Sequence, residues 1–292
     1  MREKISHYIT LLRPQHWIKN GFVFAPVCFS GQLNQWYPLK GAFIAFIAFS
    51  LAASSVYILN DWYDREADSM HPEKKTRPFA KGVISHFEGV ILGLSCFIIS
   101  ISICGLLINS AAILIICSYI LLNISYSIIL KKFAIIDVCC IATGFVLRLF
   151  VGSVATRIEL SSWIITMTFL LALFLALAKR RDDVIREGLG EVRTRKAIYG
   201  YNIDFLNHTI SIMGSVIIVA YIMYCHSDDR GLVLQNEYLY LTTAFVIVGL
   251  MRYFQLAIVD CCTGNPTKVL LNDKFTQINL IAWCGAFTWM IY

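Results

Sequence analysis

Charge is scarce in this chain: only 15% of its 292 residues are charged, against 58% hydrophobic, and the mean hydropathy is +0.66. A water-soluble domain of this length needs far more polar surface, so the composition leaves an all-α polytopic membrane protein. The six histidines fall at 7, 16, 71, 86, 208 and 226 with no pair at ligand spacing, which argues against zinc. The ten cysteines are scattered, with adjacent pairs at Cys139–Cys140 and Cys261–Cys262 but no C-x-x-C spacing. They are expected to be small core residues rather than metal or redox groups. No linker, low-complexity stretch or soluble module interrupts the apolar pattern, so one membrane domain over 1–292 is expected, with no nucleic-acid partner. No cleavable signal peptide is evident, because M-R-E-K-I-S-H-Y-I-T-L-L-R-P precedes any long apolar run. Within residues 1–14, Ile5, Tyr8, Ile9 and Leu12 form an amphipathic stripe expected to lie on the membrane surface.

What is present is a series of membrane-length apolar runs, at roughly 16–33, 38–60, 86–108, 111–130, 134–156, 161–179, 204–225, 235–258 and 274–291. Nine transmembrane helices are therefore expected. With nine spans, the N-terminus and the segments near 61–85, 131–133, 179–203 and 259–273 share one side and hold most of the 25 Lys and Arg, against Lys40, Arg157 and Arg230 opposite. The positive-inside rule puts that side in the cytoplasm and the C-terminus outside, as in a plasma-membrane protein. The segments 61–85 and 179–203 are long enough to act as functional caps over a cytoplasm-facing cavity.

The second run ends in N-D-W-Y-D-R-E-A-D, residues 60–68. Asn60, Asp64 and Asp68 recur at i, i+4 and i+8, so on a helix they line one face, with Asp61 beside them. Oxygen ligands stacked this way suit a hard cation such as Mg²⁺, which also takes waters and substrate phosphate oxygens. The cluster is otherwise a solvated helix end. Against that stands its place at a helix C-terminus, where the macrodipole disfavours negative charge. The next stretch, H-P-E-K-K-T-R-P-F-A-K-G, adds Lys74, Lys75, Arg77 and Lys81. Carboxylates for a divalent ion beside cations for phosphate oxygens is the arrangement that diphosphate binding needs.

A second, dispersed set is basic: Lys19 at the first span, Tyr126 and Lys131 at the end of the fourth, Arg148 inside the fifth with Asp137 eleven residues earlier, and Lys179, Arg180 and Arg181 ending the sixth. Asp137 and Arg148 lie about 16 Å apart along a helix, so Asp137 is a poor partner for that arginine. An intramembrane arginine costs roughly 2.5–3.5 kcal/mol on insertion scales, and Arg148 should therefore face a polar cavity or an anion. Lys179 to Arg181 serve either a phosphate or simply the positive-inside rule. Arg186, Arg193, Arg195 and Lys196 suit anionic headgroups. Asp183 and Glu187, at i and i+4, are weak candidates for a second metal.

At these residues the chain resembles the UbiA superfamily of intramembrane prenyltransferases, whose first motif N-D-x-x-D-x-x-x-D matches Asn60 to Asp68. It is most similar to the decaprenyl-phosphate phosphoribosyltransferase branch, through R-P-Q-H-W-I-K-N at 13–20, H-P-E-K-K-T-R-P-F-A-K-G at 71–82, Y-S-I-I-L-K at 126–131, D-V-C-C-I-A-T-G-F-V-L-R at 137–148, L-A-K-R-R at 177–181 and G-N-P-T-K-V-L-L-N-D at 264–273. The resemblance implies a nine-helix bundle of UbiA type and Mg²⁺-dependent transfer of phosphoribose from phosphoribosyl pyrophosphate to a polyprenyl phosphate, for a cell-envelope glycan precursor. It implies Asn60, Asp61, Asp64 and Asp68 as metal ligands, and Lys75, Arg77 and Lys81 as a clamp on the leaving diphosphate. Asp61, Asp64, Asp68, Lys75 and Arg77 then carry the catalysis. Lys19, Tyr126, Lys131, Asp137, Arg148, Lys179, Arg180 and Arg181 are left for the other phosphates. Aromatic prenyltransferases of the superfamily carry a second D-x-x-x-D where this chain has K-R-R-D-D-V-I-R-E. The rivals are such an aromatic prenyltransferase and a non-catalytic carrier of anionic lipids.

Overall fold

The computed structural model describes residues 2–70, 74–189, 196–227, 237–261, 264 and 266–291, so His71, Pro72, Glu73, Arg193, Arg195 and Arg230 lie outside the described residues. Among the described residues the chain is all helical. Its α-helices are α1 (Arg2–Leu12), α2 (Ala25–Phe29), α3 (Trp36–Tyr63), α4 (Arg65–Ser69), α5 (His86–Leu107), α6 (Ser110–Ile128), α7 (Ile136–Thr156), α8 (Ser162–Gly188), α9 (Ile203–His226), α10 (Thr243–Ile258), α11 (Pro266–Asn272) and α12 (Lys274–Ile291).

Among the described residues seven helices are long and apolar enough to cross a membrane: α3, α5, α6, α7, α8, α9 and Tyr238–Ile258, which continues into α10. They coincide with seven of the nine expected spans. The run at 16–33 is instead a 3₁₀ segment, Pro14–Phe24, followed by the short α2. Arg13 starts it at φ 50°, a left-handed conformation that breaks continuity with α1. The run at 274–291 is the 18-residue α12, which carries Lys274, Gln277 and Asn279 near its start and falls outside the seven. The sixth run is longer than its apolar part, because α8 continues to Gly188. Lys179 to Arg181 therefore sit within a helix and not in a loop after it.

Contact clustering divides the chain into two compact units. The first comprises Met1–Cys28, Gln32–Ile128 and Leu147–Glu159. Its core is a stripe on α3, Ala45, Ala48, Phe49, Ala52, Ala53 and Val56, at the spacing of one helical face. Ile116 and Tyr119 of α6 pack on it. Serines on α3 hold the 3₁₀ segment: Trp17 donates to Ser54 Oγ at 3.0 Å, Asn20 to Ser50 Oγ at 3.0 Å, and Ser54 to the Leu12 carbonyl at 2.7 Å. Gly152 of α7 lies so close to the Val23 carbonyl that a Cβ there would collide with it, the close backbone approach that small residues permit in membranes. These ties fix the segment that carries Arg13 and Lys19.

The second unit comprises Phe29–Gly31, Ile129–Val146 and Leu160–Tyr292. Phe174 and Leu177 of α8 pack with Leu206 and Ile210 of α9 and with Leu250 and Tyr253 of α10. Several polar side chains here are paired internally, which suits a lipid environment. Tyr221 and Thr242 hydroxyls meet at 2.7 Å, and Trp283 donates to Tyr221 at 2.9 Å. Helix starts are capped: Ser161 accepts from the Ile164 amide, and Asn202 from the Phe205 amide at 2.7 Å. In both units large apolar residues such as Leu94, Leu114, Leu121, Ile212 and Met251 are exposed, as lipid-facing positions should be.

Candidate functional site

The acidic motif straddles the end of α3. Asp64 has φ −88° and ψ 4°, which interrupts the helix before α4. The hydrogen-bond ladder nevertheless runs through the break, with Asp64 N donating to Asn60 O at 2.9 Å and Asp68 N to Asp64 O at 2.8 Å. The i, i+4, i+8 column expected from the spacing is thus preserved in the backbone. Asp61 and Asp68 are both 3% exposed, and Asp64 is half-buried.

One guanidinium joins the two buried carboxylates. Arg77 Nη1 lies 2.9 Å from Asp61 Oδ1 and 2.6 Å from Asp68 Oδ2. Arg13 Nη2 lies 2.5 Å from the same Asp61 oxygen, its guanidinium also resting over the Tyr57 ring at 5.4 Å. Arg77 reaches the pair because its turn is tightly made: Lys81 N donates to Arg77 O at 2.9 Å, Gly82 adopts φ 69°, and Phe79 is buried with Leu11, Ile58 and Ile84. Lys75 and Lys81 stand exposed on the same stretch.

Among the described residues no three His, Cys, Asp or Glu side chains cluster as a ready metal cage. The site still fits a hard cation, because two buried carboxylates already converge on one positive nitrogen and such ions complete their shell with water and phosphate. Asp61, which the spacing sets beside the column, is the carboxylate that meets both arginines. Asn60 meets Ser127, whose hydroxyl lies 2.5 Å from Asn60 Oδ1 and 2.8 Å from the Asn123 carbonyl. Asn60 Oδ1 accepts from that hydroxyl, so Ser127 of α6 fixes the orientation of the Asn60 amide.

Arg148 is 5% exposed and held by Asn20 Oδ1 at 2.9 Å, the Tyr119 hydroxyl at 3.4 Å and the faces of Phe49 and Tyr119 at 5.0 and 5.2 Å. Lys19 lies within electrostatic reach of Arg148 and Arg13, and among the described residues no carboxylate pairs with it. Tyr126 is half-buried beside Ser127.

In the second unit the arginines of the expected phosphate cluster have internal partners. Arg180 is 1% exposed, with Nε 2.6 Å from Asp137 Oδ2 and Nη1 2.6 Å from Asp183 Oδ2. Arg181 is 5% exposed; it donates to Asn207 Oδ1 at 2.6 Å and to the Ala257 carbonyl. Asp137, expected to touch substrate, is fully buried, and its other oxygen accepts from the Tyr201 hydroxyl at 2.7 Å. Tyr201 in turn accepts from the Ile135 amide at 2.6 Å, where the backbone is at φ 68°. Burial first, and the Asp137 hydrogen bond second, push the Tyr201 hydroxyl well above its ordinary value, so it stays a donor. Asp137 and Tyr201 thus position Arg180. Lys179 and Lys131 are half-buried. Asp183, a candidate for a second metal, is paired with Arg180 at 2.6 Å.

Three residues escaped the sequence reasoning: Arg13, Ser127 and Tyr201. Arg13 lies in the R-P-Q-H-W-I-K-N stretch, directly before a proline; the others had no signal beyond their hydroxyls.

Comparison with known proteins covers nearly the whole chain. The UbiA prenyltransferase family model matches residues 22–261. A decaprenyl-phosphate phosphoribosyltransferase of Mycolicibacterium smegmatis is 31% identical over 99% of this chain and 93% of its own length. One from Corynebacterium glutamicum is 31% identical over 97% of this chain and 86% of its own. A solved UbiA homologue from Archaeoglobus fulgidus, bound to GPP and Mg²⁺, superposes with TM-score 0.70 at 18% identity over 97% of this chain and 99% of that one.

Proposed function

Since the chain belongs to the UbiA prenyltransferase family, we propose that this multi-pass membrane transferase moves 5-phosphoribose from phosphoribosyl pyrophosphate to a polyprenyl phosphate and releases pyrophosphate. The full-length relatives carry that activity in their names. The observation that carries the choice of branch is that this likeness runs over 97–99% of the chain.

Asp61, Asp64 and Asp68, with Asn60, would hold Mg²⁺, which supplies charge neutralisation for the departing diphosphate. Arg77, Lys75 and Lys81 bind phosphate oxygens of that group as it leaves. The bond between the anomeric carbon and the diphosphate oxygen breaks, its electron pair departing with pyrophosphate. A lipid phosphate oxygen forms the new bond to the same carbon. That nucleophile is already ionised at neutral pH, so the chain needs no general base. Lys19, flanked by Arg13 and Arg148, takes a second phosphate. Nine spans, with the N-terminus and the acidic motif in the cytoplasm, complete the proposal, supported by the bias of Lys and Arg.

The test is incubation of purified protein with Mg²⁺, labelled phosphoribosyl pyrophosphate and short polyprenyl phosphates. A labelled lipid product is expected. No such product, together with prenylation of 4-hydroxybenzoate from a prenyl diphosphate, overturns it.

A further inference from the structure

Two carboxylates as buried as Asp61 and Asp68 cannot stand ionised without a counter-charge. Arg77 supplies it with a single nitrogen, 2.9 Å from one and 2.6 Å from the other. A magnesium ion binding these oxygens sits about 2.0–2.1 Å from each, in the space that the nitrogen fills. Metal and guanidinium are therefore alternatives at this point. Arg13 does not share that conflict in full, because it contacts Asp61 and not Asp68 in the ion pairs found. The Arg77 side chain is 28% exposed, so it has an open direction in which to move, and Lys75 and Lys81 stand exposed on the same stretch.

We propose that Arg77 is a resident counter-ion that a divalent metal displaces from Asp61 and Asp68 and that the metal's diphosphate partner then recaptures, so that metal and diphosphate bind strongly only together. The proposal rests on the metal assignment made above. Metal alone must break two charge-assisted hydrogen bonds and leave a guanidinium without its anions. Diphosphate alone meets an arginine already engaged. Arriving as a complex, the two components exchange places with the ion pairs, and every charge ends with a partner. The site thereby rejects bare metal.

The full chain in detergent tests this with Mn²⁺ as the probe. Arg77→Gln removes the competing cation, so Mn²⁺ alone should bind at least about tenfold more tightly than to wild type, while preformed Mn²⁺–pyrophosphate loses its advantage over bare metal. An unchanged or weaker Mn²⁺ affinity in a folded Arg77→Gln overturns the proposal. A second measurement needs only wild-type protein: phenylglyoxal modification of Arg77, followed by mass spectrometry. Mn²⁺ alone should accelerate it, and Mn²⁺–pyrophosphate should restore protection. A rate that Mn²⁺ alone leaves unchanged or slows is fatal to the exchange. If the exchange is observed and no phosphoribosyl transfer occurs, the functional proposal fails and this one stands.

Discussion

Tyr201→Phe removes one oxygen atom and should cost the second unit heavily. That oxygen accepts from the Ile135 amide at 2.6 Å and donates to Asp137 at 2.7 Å. An ordinary hydrogen bond contributes about 1 kcal/mol and one to a charged group about 1.5–3 kcal/mol, so the loss should be about 2–4 kcal/mol. The upper part of that range applies because Asp137 is fully buried and no water replaces the hydroxyl. At about 2–4 °C per kcal/mol, the scale for domains of about 150–250 residues, the thermal unfolding midpoint in detergent should fall by about 6–16 °C. Combining it with Asp137→Asn should give less than the sum of the single losses, because both act on one network with Arg180. A fall in midpoint below about 2 °C, or strict additivity with Asp137→Asn, would refute the view that Tyr201 and Asp137 jointly hold Arg180.

Asp64→Asn and Asp68→Asn should each reduce phosphoribosyl transfer by at least about 10²-fold while leaving the unfolding profile near wild type, and full activity in either removes the metal assignment. Ser127→Ala should raise the Mg²⁺ needed for half-maximal rate by about tenfold with little change at saturating metal, and Ser127→Thr should restore it; a loss that excess metal does not relieve would mean Ser127 acts otherwise. The Asp273 carboxyl is held well below its ordinary value of 3.8, chiefly by the Arg252 hydrogen bond at 2.7 Å. A depressed carboxyl stabilises the fold fully above its unfolded value and less as pH falls towards its folded one. The stability gap between wild type and Asp273→Asn should therefore be widest near neutrality and shrink as pH drops below about 4. A gap that widens on acidification contradicts the sign.

Much of the architecture was legible because apolar length is a local property. Seven of the nine apolar runs are long helices, and the N-D-x-x-D-x-x-x-D column survived even where Asp64 breaks the helix. What was not legible depended on distant partners. Asp61 is paired with Arg13, 48 residues earlier, through a left-handed turn that no periodicity reports. Lys179 to Arg181 look like a loop cluster, since apolarity ends there, yet α8 carries them onward and buries two of them against Asp137, Asp183 and Asn207. The conformation of the first expected span was hidden for a similar reason: Arg13 and Pro14 precede a 3₁₀ path in residues whose apolarity alone suggests an α-helix.

The aim of Arg77 also depends on an absence. Gly89, near the start of α5, has no Cβ, and the Phe79 ring occupies the space that one would fill. Phe79 is two residues from Arg77, so a methyl group added inside a membrane helix would push on the turn that points a charge at two carboxylates. A search for this enzyme's determinants confined to its charged residues would pass over that glycine. Part of its electrostatics is set by hydrocarbon shape.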